Sequence, residues 1–328
     1  FPVTANAYKK DAGSDVPRKT SEGFLMKVDR HLRSLRYSTF LGSDTEKTVD
    51  CPGGSLCTEL TMRIRNEAVG VRVGAGQQPW VLLTTSGVAL PTTPGAYVAE
   101  EPDAEDGPSN PFQVVLPRES VSLLKLDSQG GAVIVSALVG EASPSAAYLG
   151  DSLALLSDGS PVVLRNRGAF PSGEIEVTKL LPDASAASAH GTLTTEVPGA
   201  FRRSLAVGPD NSIWLSGSLD SLDGVPNHFE GVAPSVDLGT DFLLRLSGDT
   251  LRPRSQWMLP EALAGPLRAT PFGVDMVSAR GIVTSVPYPG DPGTAIVGVR
   301  NAAAMDVQST VSPYEFLALE GVGLGLPD

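Results

Sequence analysis

The sequence predicts an all-β protein, a β-propeller made of four-stranded antiparallel blades, and three observations carry that expectation. The chain of 328 residues holds 35 glycines and 27 prolines, while aromatics make only 6% and charged residues 19%. That balance suits many short strands and turns better than long helices. Apolar and polar residues alternate over short stretches, the period of a strand with one buried face. A two-hairpin pattern also recurs along the chain, as radial repetition requires.

The first hairpin type reads strand, polar turn, strand. Its clearest copies are FLMKVDRHLRSLRYSTFLG from Phe24 and SLLKLDSQGGAVIVSALVG from Ser122. Weaker copies are VTKLLPD from Val177 and FLLRLSGDTLRPRSQWML from Phe242. A second hairpin type follows each: VGVRVGAGQQPWVLLTTSG, SLALLSDGSPVVLRNRG, SLAVGPDNSIWLSGS and FGVDMVSARGIVTSV. Its Asp-Gly and Asp-Asn turns suit tight connections. Taking first and second hairpin together gives a four-stranded unit, with about four blades visible. The excess length between copies lies in polar, Pro-rich insertions such as 98–117. A β-sandwich would also use short strands, but it would not need the same two-hairpin grammar repeated.

The block FPVTANAY (Phe1 to Tyr8), followed by FLMKVD and LRYSTFLG, resembles the bacterial SBBP-type repeat, a propeller repeat of large secreted and surface proteins. LPTTPGAY, from Leu90 to Tyr97, repeats the opening motif; FPSGEIEV and PNHFEGVAP stand in its place further on. The resemblance implies an extracellular or cell-surface location and a larger ring of about seven blades, although a closed four- or five-bladed ring stays open. The segment 301–328, with Val311-Ser312-Pro313, is similar to the start of an immunoglobulin-like module in such proteins. The expected division is therefore repeats over 1–300 and that segment over 301–328. Phe1-Pro2-Val3-Thr4 reads as the inside of a longer protein.

The net charge of −12 repels phosphate backbones, so nucleic acid is not an expected partner. Apolar runs such as Trp80-Val81-Leu82-Leu83 are far too short to cross a bilayer as a helix. Cys51 and Cys57 flank a Pro-Gly-Gly bend in CPGGSLC, which suits a local disulfide; with no second cysteine pair, a zinc site is disfavoured.

Candidate chemistry is sparse. His31 falls in the turn of the first hairpin, His190 in a small-residue stretch read as another turn, and His228 in a loop preceding a blade. Asp220, Asp223 and His228 are the candidate ligand-binding residues; the two aspartates offer hard oxygens that would suit calcium, though without a regular calcium-loop spacing. Glu174 and Glu176 in GEIEV share one strand face and read as solvated. Trp80 and Trp214 occupy matching positions, read as the fourth strand of each repeat, which suits packing between blades. The expected function is a non-catalytic extracellular scaffold that binds protein or carbohydrate through blade-connecting loops at 9–20, 98–117 and 219–241. The competing expectations are a propeller-type polysaccharide hydrolase or lyase, and a subunit of a filament or surface array assembled through edge strands.

Overall fold

The computed structural model describes residues 1–13, 19–45, 48–50, 59–61, 64–99, 119–142, 153–166, 173–195, 204–218, 241–259, 267–270, 273–277, 283–287, 295–301 and 317–322. These residues form an all-β architecture, with a 3-10 turn at Ala75–Gln77 and no α-helix among them. The chain divides into two compact units, the first Phe1–Tyr148, Asp158–Ala169 and Glu174–Thr192, the second Leu149–Ser157, Phe170–Gly173 and Leu193–Asp328.

In the first unit the strands are β1 (Lys19–Ser21), β2 (Gly23–Val28), β3 (Leu35–Leu41), β4 (Thr48–Asp50), β5 (Glu59–Thr61), β6 (Ile64–Val73), β7 (Pro79–Thr85), β8 (Glu119–Leu126) and β9 (Val133–Ala142). β6 through β9 form an antiparallel meander, and β1 adds in parallel beside β6. The β2–β3 hairpin lays Leu25, Tyr37 and Leu41 on Val81, Leu83, Leu124 and Leu126 of that meander, forming one core. β4 and β5 pair on either side of the CPGGSLC segment. β10 (Leu153–Leu155) lies in the second unit. β11 (Pro161–Asn166), β12 (Gly173–Leu180) and β13 (Ala187–Thr195) follow one another in a sheet, with β11 and β12 antiparallel.

The second unit carries β14 (Ser204–Val207), β15 (Ile213–Ser218), β16 (Asp241–Leu246) and β17 (Pro253–Leu259), a four-stranded antiparallel meander. β18 (Leu267–Ala269), β19 (Gly273–Val277) and β20 (Val283–Pro287) form the next sheet. The two sheets share a core of Ala206, Trp214, Leu243, Leu267, Val274, Met276 and Val286. β21 (Ala295–Asn301) and β22 (Leu317–Val322) form an antiparallel pair that joins the two sides of residue 301.

The repeats of the sequence are structural repeats. All four hairpins of the first type close with a bond from the first turn residue to the fifth one on: Asp29 N to Ser34 O (2.9 Å), Asp127 N to Ala132 O (3.0 Å), Leu181 N to Ala186 O (2.9 Å) and Ser247 N to Arg252 O (2.9 Å). Each turn contains a left-handed residue: Leu32 (φ 57°), Gly130 (φ 68°), Ala184 (φ 54°) or Leu251 (φ 57°). Second-type turns close one residue tighter, Gly74 N to Gln78 O (2.9 Å) and Gly208 N to Ser212 O (2.8 Å). Their left-handed residues are Gln77 and Asn211, with Gly159 at the equivalent place between β10 and β11.

The sheet frame, however, differs from the frame expected from the sequence. Each four-stranded meander consists of a second-type hairpin and the first-type hairpin that follows it: β6–β7 with β8–β9, and β14–β15 with β16–β17. The first-then-second grouping is therefore wrong by one hairpin. Consequently Trp80 and Trp214 lie in the second strand of their four-stranded meanders, not the fourth.

The opening motif has a role that its recurrence alone did not show. Thr4 N and Thr93 N donate to Ser38 O and Ser136 O, at matching points on β3 and β9, so both segments line the outer edge of a first-type hairpin. Further along, Tyr8 N donates to Gly130 O and Tyr97 N to Ala184 O, which are the left-handed residues of the next hairpin turn. Each motif thus covers one sheet edge and laces it to the following sheet, which removes backbone groups that would otherwise template aggregation.

Candidate functional site

The densest polar arrangement of the first unit lies on one face of β11, β12 and β13. Period-two alternation sends Ile175 and Val177 to one side of β12 and Glu176 and Thr178 to the other. Register places Arg165 directly opposite Glu176, and the Arg165 guanidinium meets Glu176 Oε1 at 2.6 Å with both side chains about 5% exposed. Arg165 also donates to the carbonyl of Glu141 at 3.3 Å. His190, half exposed, sets Nδ1 3.2 Å from the same Glu176 oxygen. Its Nε2 stands 3.5 Å from Thr192 Oγ1, while Thr178 Oγ1 sits 3.4 Å from Glu176 Oε1.

This corrects two sequence expectations. His190 lies in β13 and not in a turn, and Glu176 is a buried ion-pair partner and not a solvated strand residue. The deciding fact was coverage of the sheet face, which period-two alternation does not reveal. Chemically, the cluster presents an imidazole oriented by a buried carboxylate, a group able to accept or donate a hydrogen bond at Nε2.

A second cluster binds four segments around Lys9. Its ammonium bonds Glu22, Asp44 Oδ1 (2.7 Å) and Gly42 O (3.2 Å). Asn66 Nδ2 donates to Glu22 Oε2 (2.7 Å) and Ser43 O (2.9 Å), and Asn66 Oδ1 accepts from Ser43 N (3.1 Å). Burial opposes the charge on Lys9, yet the bonds to Asp44 and Glu22 outweigh it and hold its pKa above the usual lysine value. Gly42 is required here: its φ is 138°, and a Cβ would stand 2.4 Å from the Asn66 side chain. Lys9 is thus committed to a structural clamp and is withdrawn from the loop contact expected of 9–20.

In the second unit, Arg245 bonds Asp210 Oδ2 at 2.7 Å, Ser212 Oγ donates to Asp210 Oδ1 at 2.6 Å, and Trp214 Nε1 donates to Ser212 Oγ at 2.9 Å. The Arg245 guanidinium also lies 5.9 Å from the Trp214 ring, as Lys125 lies 5.0 Å from Trp80. In each case the cation is the cross-strand neighbour of the indole. Both indoles are buried, and Trp214 sits in the core shared with β18–β20. Trp257 lies in β17.

His31 lies in the exposed first turn, as expected, with its backbone N–H on Asp29 Oδ1 (3.0 Å). Asp220, Asp223, His228, Cys51 and Cys57 lie outside the described residues. Among the described residues no three His, Cys, Asp or Glu side chains come together as a metal site. No family model matches the chain, and no curated protein matches it.

Proposed function

We propose that the chain is part of a β-propeller of the SBBP-repeat kind, acting at the cell exterior as a non-catalytic scaffold that holds a protein or carbohydrate partner on its connecting loops. The supporting observation is the alternation of two hairpin types whose turn closures recur while the connections vary. Stacked repeats of this kind give a rigid body with freely varying loops, a suitable platform for recognition. The buried polar clusters fit the same reading, because each ties strands or segments together. Asp220, Asp223 and His228 are the residues assigned to ligand contact, with calcium as the cation they would suit.

Affinity electrophoresis through gels containing soluble polysaccharides, run beside a reducing-end assay, tests this function. Retardation without release of reducing ends is expected. Release by the wild type that is lost in Asp223→Asn would overturn the scaffold in favour of the hydrolase alternative. The Glu176–His190–Thr192 line gives that alternative one more group to test. An activity lost in His190→Ala, with the fold intact, would place the chemistry there.

A further inference from the structure

The clamp around Lys9 brings an amine, a carboxamide and a carboxylate into one enclosed cluster. The Lys9 backbone is pinned to β3, with Phe40 N donating to Lys9 O at 3.0 Å and Lys9 N to Thr39 Oγ1 at 2.9 Å. The Lys9 and Glu22 side chains are 15% and 8% exposed, and Asn66 on β6 is 1% exposed. One carboxylate touches both nitrogens, because Glu22 Oε1 accepts from Lys9 Nζ and Glu22 Oε2 accepts from Asn66 Nδ2 at 2.7 Å. An ion pair alone would not require that bridge.

The carboxamide is held as an electrophile. Ser43 N donates to Asn66 Oδ1 at 3.1 Å, which polarises the carbonyl and would stabilise negative charge developing on that oxygen. Ser43 O accepts the other Nδ2 hydrogen at 2.9 Å, so the amide is fixed in orientation. Gly42 stands beside the amide carbon, where a Cβ would lie 2.4 Å from Asn66 Cγ, and its carbonyl accepts from Lys9 Nζ at 3.2 Å. The glycine thus keeps side-chain bulk away from the carbon at the corner that holds the amine. Asp44 also offers an acyl group, its Oδ1 2.7 Å from Nζ, but its side chain is 44% exposed. A hydrated carboxylate resists attack by an amine, whereas a buried, polarised carboxamide does not carry that charge.

We propose that Lys9 and Asn66 form an intramolecular isopeptide bond, with Glu22 carrying the protons. Lys9 Nζ passes a proton to Glu22, and the neutral amine attacks Asn66 Cγ, moving the carbonyl electrons onto Oδ1 beside the Ser43 N–H. Glu22 then gives its proton to Nδ2 and takes one from Nζ. The carbonyl reforms, the Cγ–Nδ2 bond breaks with its electron pair on nitrogen, and the ammonia released takes the proton from Glu22 and departs as ammonium. Atoms and charge balance without a co-reactant, and the fixed cluster supplies the proximity that a bimolecular reaction lacks.

The brake is the proton on Lys9. Burial is the largest influence and favours the neutral amine, but the bonds to Asp44 and Glu22 outweigh it and hold the ammonium. The link should therefore form slowly at neutral pH and faster as pH rises, and Asp44→Ala should speed it by removing a competing anion. It would tie the segment ahead of β1 to β6 across the β2–β3 hairpin. This chemistry goes beyond the scaffold reading and does not depend on it.

Intact-mass spectrometry of the denatured full chain, before and after the folded protein is held near about pH 9, tests the proposal. The expected result is a mass lower by one ammonia, with proteolytic peptides containing Lys9 and Asn66 joined. Lys9→Arg, which keeps the positive charge of the clamp, and Glu22→Gln, which keeps its shape, should each abolish the loss while circular dichroism shows the fold intact. Asn66→Asp should link with loss of water in place of ammonia. Linked protein should melt about 10 °C above Lys9→Arg, since a cross-link over a long loop restrains the unfolded chain. An unchanged mass in folded wild type would overturn the proposal. So would an ammonia loss that persists in Lys9→Arg, the mark of a succinimide, or a link that joins Lys9 to Asp44 with loss of water.

Discussion

Arg165 and Glu176 show how much a single buried pair can cost when it is broken. Each side chain has surrendered its water, and its charge is balanced chiefly by the other at 2.6 Å. Replacing one partner leaves the other charged and dry, so Arg165→Met or Glu176→Leu should each lose about 3–5 kcal/mol. The double variant should lose far less than the sum, because two apolar side chains repack without a stranded charge. Denaturant unfolding across the full cycle checks this, and additive losses would show that the pair is not coupled. Asp210 makes the milder, pH-dependent case. Burial raises its pKa, but the bonds from Ser212 and Arg245 outweigh burial and leave it below the usual carboxylate value. A carboxylate depressed in the folded state contributes stability above its unfolded pKa and loses it as pH falls through the folded pKa. Asp210→Asn should therefore cost about 1 kcal/mol at pH 7 after solvent screening, and the difference from wild type should close below about pH 4. Neither Arg165 nor Glu176 stood out in the sequence as a partner, since their pairing depends on the register between β11 and β12 and on which sheet face is covered.

At the scale of elements, the first-type hairpins were legible because their signals are local: alternation on either side of a polar turn, visible in FLMKVD and SLLKLD alike. The frame was not. A repeat of two alternating hairpins can be cut either way, and only cross-strand pairs such as Trp80 with Lys125 and Trp214 with Arg245 show that the second type leads. The shared turn makes an internal control on backbone strain. Leu32 holds φ 57°, a conformation costing a β-carbon-bearing residue roughly 1–2 kcal/mol, while Gly130 occupies the same position freely. Asparagine tolerates that region better, so Leu32→Asn should stabilise the chain by about 0.5–1 kcal/mol, measured by the denaturant midpoint at low protein concentration. The reverse exchange, Gly130→Leu, should destabilise it, since a Cβ there would stand 2.3 Å from the Tyr37 ring. Equal effects of the two exchanges would contradict the equivalence of the turns.

Over the whole molecule, the same turn chemistry sets the response to acid. Asp29 and Asp183 are depressed chiefly by hydrogen bonds, from Arg33 N and Ser34 Oγ to Asp29 and from Ser185 to Asp183. Asp158 is depressed first by the backbone bond from Ser160. With Asp210, these carboxylates hold turns of both hairpin types, and all lose that contribution as pH falls through their folded pKa values. Glu119 runs the other way. Burial raises its pKa more than its bond to Arg65 lowers it, so its contribution is full at low pH and is lost as pH rises through the raised value. Net charge acts in that same direction above the sequence pI of about 4.8, because a chain at −12 repels itself at pH 7 and much less near pH 5. Acidification from pH 7 to about 5 should therefore raise the melting temperature, and further acidification below about pH 4 should lower it as the turn aspartates protonate. Scanning calorimetry at low ionic strength should show that maximum, and added salt should flatten its neutral side by screening the repulsion. A melting temperature that climbs steadily from pH 4 to 8 would mean that neither self-repulsion nor Glu119 governs the neutral range, since the turn aspartates are ionised in both states there.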